Sequence, residues 1–314
     1  MLVMGKRPLP ALHDGDVLIK VAAAGVNRPD VVQRLGHYPP PPGASDIPGL
    51  EVAGTVVEKS KDVTRWKLGE PVCALITGGG YAEYVTAPEN VCLPLPSSLD
   101  LVEAAALPET FFTVWHNLVQ RAQLKAGETL LIHGGSSGIG TAAIQIARTL
   151  GARIAVTAGS DTKCTACLEL GAHLAINYRT QDFVKEIKGS DAFKGVNVIL
   201  DLVGGDYVAA NLKCLKTEGR LVNIAFLEGS KVTLDLLPIM LKRLVVTGST
   251  LRPQSLETKR SIAHDLEEKV WPHLSDGTIK PIIYKLFPLE QASEAHKLME
   301  SSKHIGKIVL TVKI

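Results

Sequence analysis

Leu130-Leu131-Ile132-His133-Gly134-Gly135-Ser136-Ser137-Gly138-Ile139-Gly140-Thr141-Ala142-Ala143-Ile144-Gln145 is the stretch from which the rest of the chain is read. An apolar run makes a strand, a Gly/Ser cluster makes a turn, and small residues open a helix. Gly135, Gly138 and Gly140 let the backbone turn tightly and approach a pyrophosphate, whose charge would rest on the N–H groups and positive end of the helix. The glycines crowd towards the end of the turn and depart from the common dinucleotide spacing, so alone the stretch also reads as a tight βα turn without a ligand. Its position separates the two readings. Apolar strands are expected at 130–133, 154–157, 174–177, 196–200, 220–225 and 244–250, each followed by a helical or loop segment. Such a βαβ series makes a twisted, doubly wound, mostly parallel sheet, so the fold class expected is α/β.

Upstream the pattern is different. Val17-Leu18-Ile19-Lys20-Val21 is a β-type run, followed by an expected loop, Gly25-Val26-Asn27-Arg28-Pro29-Asp30. Tyr38-Pro39-Pro40-Pro41-Pro42-Gly43 cannot be helix interior. Further strands are expected at 52–57, 71–75 and 82–85, at the spacing of a β-barrel or sandwich. Near residue 101 helices begin, at 101–107 and 111–121. Downstream, residues 255–274 read as one long helix ended by Asp276-Gly277. Strands at 282–287 and 307–313 flank a helix at 290–300. These last elements could close back onto the first β-rich part, a closure that periodicity alone does not decide. Closed in that way, the domains would be 1–112 with 255–314, β-rich and discontinuous, and 113–254, α/β.

Composition excludes several classes. Of 314 residues 46% are hydrophobic and 21% charged, against a disordered chain. Lys plus Arg (34) nearly balances Asp plus Glu (32), a net charge of +2, and no basic block stands out, so no nucleic-acid partner is expected. No apolar run reaches the roughly 18 residues of a membrane span. The opening MLVMGKRPLPALHDGD has no apolar core of a secretory signal. Five scattered cysteines suit a reducing compartment, and a cytoplasmic location is expected.

The cofactor's identity turns on the end of the second α/β strand, Val156-Thr157-Ala158-Gly159-Ser160-Asp161-Thr162-Lys163. NAD-preferring folds carry a carboxylate there for the adenosine ribose. Here the tip is Gly159, and Ser160 and Lys163 suit a 2′-phosphate, with Tyr178 adding a phenol on the same rim. Lys163 also reads as a plain surface lysine. Asp161 would repel a phosphate unless turned away as a helix N-cap. The balance favours NADPH.

Other chemistries lack their residues. No HExxH or clustered ligand set is present, and Cys73, Cys92 and Cys214 sit in apolar surroundings as small core residues. Cys164-x-x-Cys167, without further ligands, reads as packing rather than a zinc or redox site. No serine elbow or triad is found, and His133, ending a strand, reads as structural. No strong general acid is visible, so a final proton would come from solvent. Hydride transfer needs no protein nucleophile, because the cofactor carries the reaction.

With these residues in hand, the chain resembles the zinc-free medium-chain dehydrogenase/reductases of the quinone oxidoreductase group. The marks are Ala24-Gly25-Val26-Asn27-Arg28-Pro29-Asp30, Pro48-Gly49-Leu50-Glu51-Val52-Ala53-Gly54, Gly78-Gly79-Gly80-Tyr81-Ala82-Glu83-Tyr84, the Gly/Ser turn, and His304-Ile305-Gly306-Lys307-Ile308-Val309. The resemblance implies a GroES-like catalytic domain and a Rossmann NADP-binding domain. Zinc-dependent relatives carry a Cys where Asn27 stands, a Gly-His-Glu where Gly49-Leu50-Glu51 stands, and a four-cysteine lobe that is missing here.

By position, the resemblance implies that Asn27 and Tyr38 line the nicotinamide and substrate pocket as the catalytic pair. Thr113 would approach the nicotinamide, and Ser137, Gly138, Ile139 and Gly140 would hold the pyrophosphate. Ser160, Lys163 and Tyr178 would hold the 2′-phosphate, Ile224, Ala225 and Phe226 the nicotinamide ribose, and Lys307 would reach the cofactor. Asn27 also reads as a turn cap, Tyr38 as packing on the prolines, and Phe226 as core. The expected function is NADPH-dependent reduction of quinones or another flat electrophile without a metal. The alternatives are an enone or 2-alkenal reductase and a low-turnover NADPH-binding protein. A homodimer is implied, by edge pairing around 244–249, a stretch that reads equally as an interior strand. Family members begin with one more strand ahead of the point matching Met1, whose lack would expose a sheet edge and lower stability.

Overall fold

A computed structural model describes residues 2–313. In chain order its strands are β1 (Asp16–Val26), β2 (Glu51–Lys59), β3 (Pro71–Leu75), β4 (Tyr84–Pro88), β5 (Cys92–Pro94), β6 (Thr129–His133), β7 (Arg153–Ala158), β8 (Leu174–Asn177), β9 (Val196–Asp201), β10 (Leu215–Asn223), β11 (Val245–Gly248), β12 (Ile283–Pro288) and β13 (Lys307–Thr311). The chain forms two compact units: residues up to Phe112 with those from Leu251 onward, and Thr113–Thr250.

The first unit holds a seven-stranded mixed sheet of order β12-β13-β1-β2-β3-β5, with β4 also paired to β1. In β1 the alternating Val17, Ile19 and Val21 are fully buried, packed with Val52, Val56, Val72 and Val85. The C-terminal strands complete this sheet. β13 runs antiparallel to β1, with Ala23 opposite Thr311 and Val26 opposite Ile308, and β12 lies parallel to β13. That register sets Lys307 beside the end of β1, one residue before Asn27.

The second unit is a six-stranded, all-parallel sheet of order β11-β10-β9-β6-β7-β8. Leu131, Ala155, Ile199 and Leu221 form its core. The chain runs outward from β6 through β7 to β8, then returns to place β9 on the other side of β6. The carboxyl ends of β6 and β9 thus form a topological switch point, where ligands of open α/β sheets bind.

Several expectations are corrected. Gly25-Val26 ends β1, and Arg28-Pro29-Asp30 is the first turn of the helix Arg28–Arg34, not loop. Pro29 is tolerated there because first-turn N–H groups have no intrahelical partner. The helix expected over 255–274 is two, Leu256–Lys269 and Trp271–Ser275, since Pro272 lacks the N–H that would continue the first. The helix expected at 111–121 is α-helical over Pro108–Val114 and wider over Trp115–Arg121, with the Ala122 N–H reaching back to Asn117 O. The stretch 244–249 is an edge strand: among the described residues β11 pairs only with β10. Among the described residues no helix is long and apolar enough to cross a membrane.

Candidate functional site

In the α/β unit the Gly/Ser turn joins β6 to the 12-residue helix Gly138–Thr149. Ser137 is its N-cap, the Oγ accepting from the Gly140 N–H at 3.0 Å. A Cβ on Gly140 would collide with the carbonyl oxygens of both Gly134 and Gly135, so only glycine allows the turn to close on itself. The N–H groups of Gly138 and Ile139 belong to the open first turn, where intrahelical partners are lacking. This cradle, at the switch point, fits a pyrophosphate.

A buried polar network holds the strand ends below it. His133 is fully buried, with Nδ1 3.0 Å from Thr157 Oγ1 and Nε2 2.7 Å from Asn211 Oδ1. Burial pushes its pKa down, so it stays neutral. The Asp201 carboxylate accepts from the Val203 N–H at 2.7 Å and from Asn211 and Asn223 Nδ2, each at 3.1 Å. The Ile224 N–H donates to Asp201 O at 2.8 Å, placing Ile224, Ala225 and the exposed Phe226 at the carboxyl end of β10. Thr113 contributes its carbonyl oxygen to Asn117 Nδ2 at 2.8 Å.

At the end of β7, Ser160 caps the helix Asp161–Glu169, with Lys163 N–H as donor at 3.3 Å. Asp161, considered as the cap, instead sits in the first turn, and its Oδ1 accepts from Asn177 Nδ2 at 2.7 Å. That bond ties the carboxylate to the neighbouring strand. Burial and then repulsion from Arg179 lower the Lys163 pKa, so two cations share this rim. Arg179 was not singled out in the sequence; its only signal was adjacency to Tyr178. The Tyr178 hydroxyl would stand 2.7 Å from a Cβ on Gly159, so the phenol lies over that glycine. The rim suits a phosphate.

The β-rich unit holds a second polar cluster. The Lys307 ammonium, buried among β1, β2 and β13, donates to Asn27 Oδ1 and to Glu51 Oε1, both at 2.6 Å, and to Val26 O at 3.3 Å. Asn27 Nδ2 donates to Glu51 Oε1 at 2.8 Å, and Glu51 Oε2 accepts from the Glu109 N–H at 2.8 Å. A Cβ on Gly25 would overlap Glu51 Oε1, so glycine there is what admits the carboxylate. Asp30 extends the cluster, accepting from the Asn27 N–H at 2.7 Å, the Gly49 N–H at 3.0 Å and the Tyr81 hydroxyl at 3.1 Å. Burial still pushes its pKa up to about 6. Asn27 side-chain bonds therefore run to Glu51 and Lys307, rather than serving only as a turn cap. Lys307 is committed to this cluster.

Tyr38 is half-buried, its ring centre 5.3 Å from the Arg252 guanidinium, whose Nε donates to Thr77 O at 2.8 Å. Lys259 Nζ donates to Arg252 O at 2.8 Å. Glu109, Arg252, Lys259 and His296 escaped the sequence reading. Pro108-Glu109 signals a helix start, and nothing local marks the other three.

Among the described residues no group of three or more His, Cys, Asp or Glu side chains could hold a metal ion. All five cysteines are buried and unpaired, and burial pushes Cys167 up to about 12 and Cys164 upward, leaving both as unreactive thiols.

Residues 13–97 match the alcohol dehydrogenase GroES-like domain, and residues 138–266 match the zinc-binding dehydrogenase family. The chain is 34% identical to a quinone oxidoreductase of Rattus norvegicus over 96% of its own length and 91% of the relative's. Among solved structures it is similar to the quinone oxidoreductase of Thermus thermophilus, solved also with NADPH, at 32% identity, TM-score 0.82 and coverage of 98% and 95%. The CurK enoyl reductase aligns at 29% identity, TM-score 0.84 and coverage of 98% and 94%.

Proposed function

Because this chain belongs to the medium-chain dehydrogenase/reductase family, with quinone oxidoreductases among its relatives, we propose that it is an oxidoreductase that reduces quinones with NADPH and without zinc. The observation that carries the reading is the Lys307–Glu51–Asn27 cluster. The buried Glu51 carboxylate that accepts from the Asn27 side chain is already matched by an ammonium ion at 2.6 Å, which disfavours a second cation there. Lys307 and Glu51 orient the Asn27 amide, whose remaining Nδ2 hydrogen and the Tyr38 hydroxyl would donate to the acceptor oxygen as negative charge develops.

The cofactor would supply the hydride. Ser137, Gly138, Ile139 and Gly140 would hold its pyrophosphate, and Ser160, Lys163, Tyr178 and Arg179 its 2′-phosphate, with Asp161 turned to Asn177. Ile224, Ala225, Phe226 and Thr113 would line the nicotinamide end. The likeness to an enoyl reductase favours a second reading, in which the same hydride goes to a carbon conjugated to a carbonyl. Five unpaired, buried thiols support a cytoplasmic location, and the edge strand β11, with Val245 and Val246 exposed, supports a homodimer.

The test is NADPH oxidation, followed by absorbance, with and without an ortho-quinone. Acceptor-dependent turnover that survives chelator is expected. A sample that binds NADPH yet turns over no quinone would overturn the quinone reading, and an enone would then be the next acceptor tried.

A further inference from the structure

One carboxyl in the β-rich unit is set among charges and bound to none of them. Glu109 lies in the first turn of the helix Pro108–Val114, and its backbone N–H is pinned to Glu51 Oε2 at 2.8 Å. Its own carboxyl makes no hydrogen bond or ion pair among the described residues, and it is half-buried rather than sealed. The charged groups that act on it lie on four elements: Glu51 on β2, Lys307 on β13, Asp30 on the helix Arg28–Arg34, and Lys259 on the helix Leu256–Lys269. Tyr38 and Arg252 feel its charge in turn. Two of the nearby cations are engaged elsewhere, Lys259 on Arg252 O and Lys307 on Asn27 and Glu51. Arg252 donates to Thr77 O through Nε, and its Nη1 and Nη2 have no hydrogen-bond partner among the described residues.

We propose that Glu109 is the proton donor to the acceptor, acting beside Tyr38; the inference rests on the reading of this chain as an NADPH-dependent reductase. Once a hydride had been delivered to a quinone, one acceptor oxygen would be left as an anion. The Glu109 O–H bond breaks, a new O–H bond forms on that oxygen, and the carboxylate left behind recovers its proton from water, to which it is partly open. The balance is one quinone, one NADPH and one proton giving hydroquinone and NADP. Burial first, and then the neighbouring Glu51, push the Glu109 pKa up to about 8 against the opposing pull of Lys307 and Lys259. The group therefore carries its proton at neutral pH and releases it readily, the match a general acid needs.

The test compares the full chain with Glu109→Gln, which keeps the shape and the backbone bond to Glu51. Three readouts are taken: NADPH binding by fluorescence, an infrared titration of protonated carboxyls, and the pH profile of turnover with an ortho-quinone and an enone. The wild type should show a protonated carboxyl band that fades near pH 8 and a rate that falls above that pH. E109Q should lack the band, bind NADPH within about twofold, lose roughly 100-fold in rate at pH 7 and show a flat profile. Turnover by E109Q with the wild-type rate and alkaline limb would sink the donor role alone. Absence of turnover by NADPH-bound wild type with either acceptor would sink the reductase reading and the donor role together.

Discussion

Lys307 and Glu51 are the pair on which the β-rich site depends. Both are almost fully buried, and their 2.6 Å contact is what makes either charge tolerable there. Lys307→Met strands the Glu51 carboxylate and should lower stability by about 3–5 kcal/mol in urea unfolding, whereas adding Glu51→Gln should restore more than half of the loss. A double variant as unstable as the sum of the singles would contradict that coupling. His296 sits at the edge of the same cluster, 3.1 Å from the Tyr81 hydroxyl. Burial, then repulsion from Arg34, push its pKa down to about 4, against Glu300. A base depressed in the fold adds stability that is complete above about 6.5 and lost as pH falls from there towards 4, here roughly 3 kcal/mol. Asp30, pushed up to about 6, works the other way, since the folded state takes up its proton first. The check is therefore differential: the melting temperature of His296→Gln should fall less than that of the wild type between pH 7 and 4, and equal falls would reject it.

The turn after β6 was legible because its determinants are neighbours in the chain. Strand periodicity, the Gly/Ser cluster and the small residues of the helix all lie within residues 130–145. Gly140→Ala drives a methyl group against two carbonyl oxygens. It should weaken NADPH binding at least about tenfold and lower stability by about 1–3 kcal/mol, read by fluorescence titration and thermal melting. The polar rim at the end of β7 was only half legible. Ser160, Lys163 and Tyr178 follow from the strand tip, but Arg179 enters through packing of β8 beside β7, and Asp161 is neutralised as a threat by Asn177. Lys163→Ala and Arg179→Ala should each loosen NADPH by about 10- to 100-fold while leaving NADH within about twofold. Equal losses for both nucleotides would place the phosphate elsewhere. Elements were misjudged where proline changes meaning with position: Pro29 opens a helix expected as loop, and Pro272 ends one expected to continue.

Across the whole chain, each unit has its own sheet and core, and the α/β sheet ends in an unpaired edge. Beside β11 the side chains of Leu236, Leu237, Met240 and Leu241 are exposed with those of Val245 and Val246, an apolar strip of the kind that a second copy covers. Val246→Lys should convert a dimer to a monomer in sedimentation without changing NADPH affinity; a wild type that sediments as a monomer would remove the proposal. What residue order settled was the α/β alternation, the Gly/Ser turn after β6 and the β-rich first part, because each is encoded by spacings of a few residues. What folding settled was the buried cluster of Lys307, Glu51 and Asn27. Lys307 meets Asn27 and Glu51 across separations of 280 and 256 residues, because β13 lies against β1. Arg252 meets Tyr38 across a comparable distance. The protonation states of Asp30, Glu109 and His296 follow from burial and from charges on other elements. Those are properties of packed neighbours, and no local pattern records them.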